Sequence, residues 1–297
     1  METLLKDIHY GYRTLLRNPG FTAVAVLSLA LGIGANTAIF SFIDTVLLRD
    51  MPVRDPGRLV VFGEGKGRGI YGGPPDGSMD LFGWQQYQNF RSRNKVFEDV
   101  AATNSLPTRV YFTLTGEGAS GVPEGAQANL VSGNFFDVLG VKPAAGRFFD
   151  ATTDKAVGAS AFVVLNYSFW ASRFNRAQSV IGQPIRVGAQ SFTVIGVAPR
   201  GFFGARLGES PDFWIPLSMQ PRMPGAHDLL TDALAQFTCL FARLKPGVTI
   251  AQASANVNFL YQQMLPGEME ARATPSEWDT MRHARIVVGP GGRGLAA

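Results

Sequence analysis

Between Arg17 and Asp44 the chain runs for 26 residues without a charged side chain. A helix rises 1.5 Å per residue, so about 20 predominantly apolar residues cross the hydrocarbon of a bilayer. Residues 21–43 exceed that length. Pro19 and Gly20 break whatever precedes, and proline suits the first turn of a helix. Asp44 falls at the far end, where a carboxylate reaches the polar interface. Three structures compete for such a run. The core helix of a soluble domain is usually shorter and less uniform. A cleaved signal peptide would use residues 21–33 as its apolar region and the small residues near Gly32 and Gly34 as its cleavage site. A retained anchor explains why the apolar run continues through Ile39, Phe40, Phe42 and Ile43. The expectation is therefore a transmembrane helix over residues 21–48. Within it Ala30, Gly34 and Ala38 recur four apart, and Ser28 and Gly32 repeat the spacing. Small residues at that interval let membrane helices approach closely, so Ala30, Gly32, Gly34 and Ala38 are candidate helix-packing residues. Alanine and glycine are also common in membrane helices without such a role.

Residues 1–20 have amphipathic spacing, with Leu4, Leu5, Ile8, Tyr12, Leu15 and Leu16 on one broad face and Lys6, Arg13 and Arg17 elsewhere. Charge does not orient the span: Lys6, Arg13 and Arg17 precede it and Arg49, Arg54 and Arg58 follow it.

The rest of the composition narrows the function. Charged residues are 17% and hydrophobic residues 46%, which excludes a largely disordered chain and a coiled coil. The net charge of +4 is spread along the chain, so no nucleic-acid partner is expected. One cysteine, Cys239, excludes an intramolecular disulfide framework and a cysteine-rich metal site. His9, His227 and His283 lack ligand spacing.

Residues 49–297 mix strand and helix signals without βαβ repetition, which predicts an α+β fold. Strands are expected at 58–62, 109–115, 161–165, 237–244 and 285–288. A hairpin is expected from 184–187 and 191–197. A Gly/Pro-rich loop covers 63–77. Helices are expected at 79–93 with Ser78 as N-cap, at 132–139 closed by Gly140, and at 166–174. Thr249 and Gln252 form a capping box for a further helix with Ala253, Val257, Leu260, Tyr261 and Met264 on one face.

Chemistry-bearing motifs are missing. The one Gly-Lys pair, Gly65-Lys66, is followed by Gly67 rather than Ser or Thr, so no phosphate-cradling Walker loop is formed. G-x-G-x-x-G occurs from Gly67 and from Gly289, but neither has strand-turn-helix context. Neither G-x-S-x-G nor H-E-x-x-H occurs, and the acidic residues are too spread to nominate a carboxylate pair. Catalytic, cofactor-binding and metal-binding residues are accordingly expected to be absent. Cys239 reads as a buried structural thiol, and Phe169, Trp170 and Phe174 read as core.

An ordered series of short segments carries more. Residues 17–22 (RNPGFT) with 31–40 (LGIGANTAIF) resemble the first membrane helix of MacB/FtsX-type ABC transporter permeases. Residues 131–141 (VSGNFFDVLGV), 146–149 (GRFF), 164–170 (VLNYSFW) and 192–199 (FTVIGVAP) are similar to the MacB-like periplasmic core domain. So are 212–217 (DFWIPL) and 243–249 (RLKPGVT). The resemblance implies a cytoplasmic N-terminal segment at 1–20, the membrane helix at 21–48 and a periplasmic core domain at 49–297. That domain would comprise two α/β subdomains, the second inserted at about 122–217. It implies the inner membrane as location and a separate cytoplasmic ABC ATPase as partner, together with further permease helices or a second permease copy and a possible periplasmic adaptor. ATP-driven motion would cross the membrane to the outer domain, for export or mechanotransmission. The alternative is a binding or scaffold module that contacts an adaptor or lipoprotein without transport. Such permeases continue with three more membrane helices, so the chain reads as a fragment, a truncated gene or the first part of a split permease.

Overall fold

A computed structural model describes residues 16–43, 51–64, 71–72, 79–114, 121–206, 208–232, 235–269 and 282–295. The chain divides into two compact units, Met1–Arg49 and Asp50–Ala297. In the first, α1 spans Pro19–Ile43. Its Pro19–Ala38 stretch is long and apolar enough to cross a membrane, and none of it is buried. Residues 44–48 and most of the amphipathic segment at 1–20 lie outside the described residues.

The second unit is mixed α/β. Its strands are β1 (Leu59–Phe62), β2 (Tyr71–Gly72), β3 (Phe97–Asn104), β4 (Thr108–Leu114), β5 (Glu124–Val131), β6 (Ala145–Gly146) and β7 (Phe162–Leu165). They continue with β8 (Pro184–Val187), β9 (Gln190–Val197), β10 (Phe213–Pro216), β11 (Ala235–Gln236), β12 (Thr238–Leu244) and β13 (Val288–Pro290). Its helices are α2 (Trp84–Arg93), α3 (Phe135–Leu139), α4 (Tyr167–Arg173) and α5 (Ile250–Met269).

Two pieces of sheet differ in kind. In the first, the order β13-β1-β12-β3 is antiparallel at every step. The connections through α2 (β1 to β3) and through α5 (β12 to β13) each join parallel strands that straddle a third. This is a pair of interleaved split β-α-β units. In the second piece β10, β7, β9, β8, β4 and β5 follow one another, and β10 also pairs with β5, Phe213 opposite Ala128. The ring of six strands is closed. The pieces join where Thr103 of β3 pairs with Val131 of β5.

The continuous apolar run of β1 follows from burial on both faces. Val60 and Phe62 face α2 and α5, packing with Phe90 and Tyr261, while Leu59 and Val61 face the opposite cluster with Phe135 and Phe136 of α3. Both apolar clusters draw residues from both pieces, so the unit has a shared core.

Most expected elements are present with small shifts. The hairpin turn is two residues, Gly188-Ala189, because Gln190 already pairs with Val187. Thr249 and Gln252 cap α5 reciprocally, at 2.9 and 3.2 Å, and its expected face is buried. Gly140 closes α3 at φ 68°. Three expectations need correction. The helix expected at 132–139 begins only at Phe135, because Ser132 to Asn134 form the turn after β5. The helix expected at 79–93 begins only at Trp84. Phe82 instead bridges Thr238 of β12, and Gly83 is the N-cap, its N–H donating to Gln86 Oε1 at 3.0 Å; Ser78 lies outside the described residues. The last strand is Val288–Pro290, not 285–288, because its register on β1 sets Gly289 opposite Val61. Most of the expected loop at 63–77 lies outside the described residues, and its Tyr71–Gly72 pairs with β11.

Candidate functional site

The most concentrated polar chemistry of the described residues sits where the two pieces of sheet meet. Helix α2 presents Tyr87 and Arg91 one turn apart, on the same face. Strand β3 contributes Asp99, and the turn after β5 contributes Ser132, Gly133 and Asn134. Arg91 donates twice to Asp99, Nε to Oδ1 at 2.9 Å and Nη2 to Oδ2 at 3.2 Å, a bidentate charge-assisted pair. Asn134 is the hub. Its Nδ2 donates to Asp99 Oδ2 at 2.6 Å and to the Val100 carbonyl at 2.7 Å. Its Oδ1 accepts from Tyr87 OH at 3.1 Å and Ser132 Oγ at 2.8 Å. Ser132 Oγ in turn accepts from Ala102 N at 2.9 Å. Asn134, Ser132 and Tyr87 are all essentially inaccessible, so every donor and acceptor here must find a protein partner.

Asp154, from the loop that follows Asp150, accepts from the Gly133 N–H with Oδ2, while its Oδ1 is buried without a hydrogen-bond partner. Burial raises its pKa above the ordinary carboxylate value, against the lowering effect of the Gly133 and Ser218 bonds and of Arg91. Burial likewise pushes Tyr87 upward. For Arg91 burial pulls downward, but the Asp99 hydrogen bond and the neighbouring acidic groups outweigh it and the net direction is up. Gly133 is required by space: a Cβ there would collide with the Asp150 carbonyl. An open cleft of about 350 Å³ lies over the network, lined among others by Trp84, Arg91, Asp99, Asp154 and Lys155.

The acidic residues that look scattered along the chain thus converge, Asp99 and Asp154 on one cleft. Nothing in local spacing links positions 91, 99, 134 and 154; only the Tyr87–Arg91 interval is a sequence signal. Chemically the cluster holds elements together: apart from Asp154 Oδ1, its side-chain polar atoms bond to one another or to the backbone. Among the described residues no group of three or more His, Cys, Asp or Glu is placed to hold a metal ion. Cys239 is fully buried with its thiol pushed up to about 12 by burial, which makes it inert. Phe169 and Trp170 are core, with Phe174 packed against them. Ala30, Gly32, Gly34 and Ala38 are exposed on α1, and a Cβ at Gly32 or Gly34 would meet nothing.

A second junction binds the segment that enters the Asp50–Ala297 unit. Arg243, fully buried on β12, donates from Nε to the Val138 carbonyl at 2.8 Å and from Nη1 to the Asp55 carbonyl at 3.3 Å. Arg54 N donates to the Leu139 carbonyl at 3.1 Å, and Met51 N to the Gly292 carbonyl at 2.9 Å. The entering segment is therefore tied to the end of α3, the helix that begins beside the Asn134 hub. A groove of about 600 Å³ runs on another side between Leu106, Met223, Leu229 and Phe237.

Residues 22–259 match the family model of the MacB-like periplasmic core domain, from inside α1 to the middle of α5. The chain belongs to this family. The MacB-like segment at 131–141 turns out to be the stretch that builds both junctions, Ser132 to Asn134 at the hub and Val138 to Leu139 under Arg243. Three solved structures are similar to it. One is a domain assigned as a permease protein of Porphyromonas gingivalis, at 17% identity and TM-score 0.49, covering 81% of this chain and 94% of that one. Another is the periplasmic region of MacB from Actinobacillus actinomycetemcomitans, at 14% identity and TM-score 0.48, covering 73% and 94%. A third is the extracellular domain of the noncanonic ABC-type transporter YknZ from Gram-positive bacteria, at 13% identity and TM-score 0.47, covering 70% and 95%. No curated protein matches the chain.

Proposed function

We propose that this MacB-like chain is the anchored extracytoplasmic module of an ABC transporter permease. In this reading α1 crosses the inner membrane with the N-terminus in the cytoplasm, and the Asp50–Ala297 unit works outside it. A separate cytoplasmic ATPase drives the motion, for export or mechanotransmission, and the chain itself carries no nucleotide site. The single observation that carries the reading is the extent of the family match, which begins inside the apolar helix and runs on through the domain. The tie between the entering segment and α3 supports it physically, because a displacement of residues 51–55 would be felt at the Asn134 hub. Ala30, Gly32, Gly34 and Ala38 would form the face against further permease helices or a second permease copy. The second subdomain, set at about 122–217, finds support in the closed ring of strands; inclusion of β4 in that ring favours an earlier start, near 108.

A second reading, a scaffold module that contacts a periplasmic adaptor or lipoprotein without transport, draws on the groove beside Leu106 and Phe237. Two measurements test the pair. A reporter active only in the periplasm, fused after Ala297, is expected to be active; activity of a cytoplasmic reporter at the same point would sink the topology. Co-purification of the full chain with a co-expressed cytoplasmic ABC ATPase, together with stimulation of ATP hydrolysis, separates the permease module from the scaffold.

A further inference from the structure

The end of the four-stranded piece at which the chain enters the Asp50–Ala297 unit collects positive charge. Arg58 precedes β1, Lys95 precedes β3, Lys245 follows β12, and Arg293 follows β13. The antiparallel registers bring these termini together: Gly291 N donates to the Leu59 carbonyl at 2.8 Å, Arg58 Nη1 to the Leu244 carbonyl at 3.2 Å, and Lys245 Nζ to the Lys95 carbonyl at 2.9 Å. Arg54 lies against Gly140, two residues before Lys142. Two of these six cations are compensated, because Arg54 and Arg58 pair with Glu98 at 3.4 and 2.7 Å and Arg58 with Asp55 at 3.1 Å. The other four, Lys95, Lys142, Lys245 and Arg293, are exposed and have no carboxylate partner among the described residues. Behind them Arg243 adds a buried guanidinium that bonds only to carbonyls, its Nη2 without a partner.

Covalent connection restricts what this surface can meet. Met51 follows Ile43, the last residue of α1, by eight residues, a stretch that reaches at most roughly 28 Å. Lysines within a Debye length of a membrane respond to its surface potential. We infer that this basic end docks on anionic phospholipid headgroups of the membrane that α1 spans. The inference rests on the anchored reading given above.

The test uses the full chain carrying Gly57→Cys. Gly57 is exposed at this end and a Cβ there meets nothing, while Cys239 is buried and is not labelled. The thiol carries a fluorophore, and the chain is incorporated into vesicles of phosphatidylcholine alone or of phosphatidylcholine with phosphatidylglycerol. Both contain the same fraction of a lipid with a headgroup spin label. The expected result is quenching about twofold stronger with phosphatidylglycerol at low salt, falling to the phosphatidylcholine level at high salt. Replacing Lys95, Lys142, Lys245 and Arg293 with Gln should abolish the difference; all four are exposed, and an unchanged urea transition of the variant checks that the fold is retained. Equal quenching in the two lipids, or a difference that survives the four replacements, overturns the inference. Failure to co-float with either vesicle at high salt overturns the anchored reading instead.

Discussion

The two pieces of sheet in the outer unit solve the same problem in opposite ways. The four-stranded piece is open, so its faces must be covered by other elements: α2 and α5 on one side, α3 on the other. The six-stranded ring covers itself, since closure leaves no strand edge and encloses its own side chains. The ring comes from one continuous stretch of chain, whereas the open piece is assembled from segments on either side of it. A self-closing element can be placed between two strands of an open one at the cost of a single junction. Here that junction is one ladder pair plus a polar hub, laid over an apolar core that both pieces share.

The sharpest test of that contrast is whether the pieces unfold together. Phe62 in the open piece packs against Phe90 and Phe97 with ring centroids at 5.4 Å, and Phe213 in the ring packs against Phe169 at 5.9 Å. Phe62→Ala and Phe213→Ala should each cost about 3–5 kcal/mol. Both should shift one common transition in urea, because their rings belong to one cluster; two separately shifted transitions would break the idea of a shared core. Next in size is the junction. Asn134→Ala removes partners from Asp99, Tyr87 and Ser132 at once and should cost about 2–3 kcal/mol in the same urea experiment. Gly133→Ala should cost about 1–3 kcal/mol by steric clash with Asp150.

How much of this could be foreseen depends on which residues are asked. Gly140, the Gly188-Ala189 turn and the Thr249–Gln252 box are local devices, readable because their partners lie within a few positions. The strands β3 and β5, FEDVAATN and EGAQANLV, carry no run of branched residues and gave no period to read. Their alanines are large enough because other elements press on them. The hub was invisible for a related reason: positions 91, 99, 134 and 154 come from a helix, a strand, a turn and a loop.

A pH experiment sharpens the hub further. Burial raises Asp154 in the folded state above its unfolded value, so the folded state holds its proton more tightly. Stability from this group is present below the ordinary carboxylate range and is lost as pH rises through the raised value. Asp154→Asn should flatten that part of the stability profile and leave the variant relatively more stable at neutral pH than in acid; an unchanged slope would mean that Asp154 is solvated. The smallest effect is expected at the rim. Arg54→Ala removes a half-exposed pair with Glu98 at 3.4 Å, and melting should register less than about 0.5 kcal/mol.

The sequence by itself determined the charge-free helix α1, the Gly140 and Thr249–Gln252 caps, the 184–197 hairpin and the family. Each of these is written in contiguous residues, since a helix closes its hydrogen bonds within four positions and a turn within three. The tertiary structure alone decided that six strands close into a ring, that the entering segment is tied to α3 through Arg243, and that Asn134 satisfies two elements at once. Those outcomes turn on pairings between distant residues, such as Ser132 with Ala102, 30 positions apart, and Arg243 with Asp55, 188 positions apart. No short-range pattern encodes such a pairing; it exists because burial drives most interior polar groups to a partner wherever the fold has brought one.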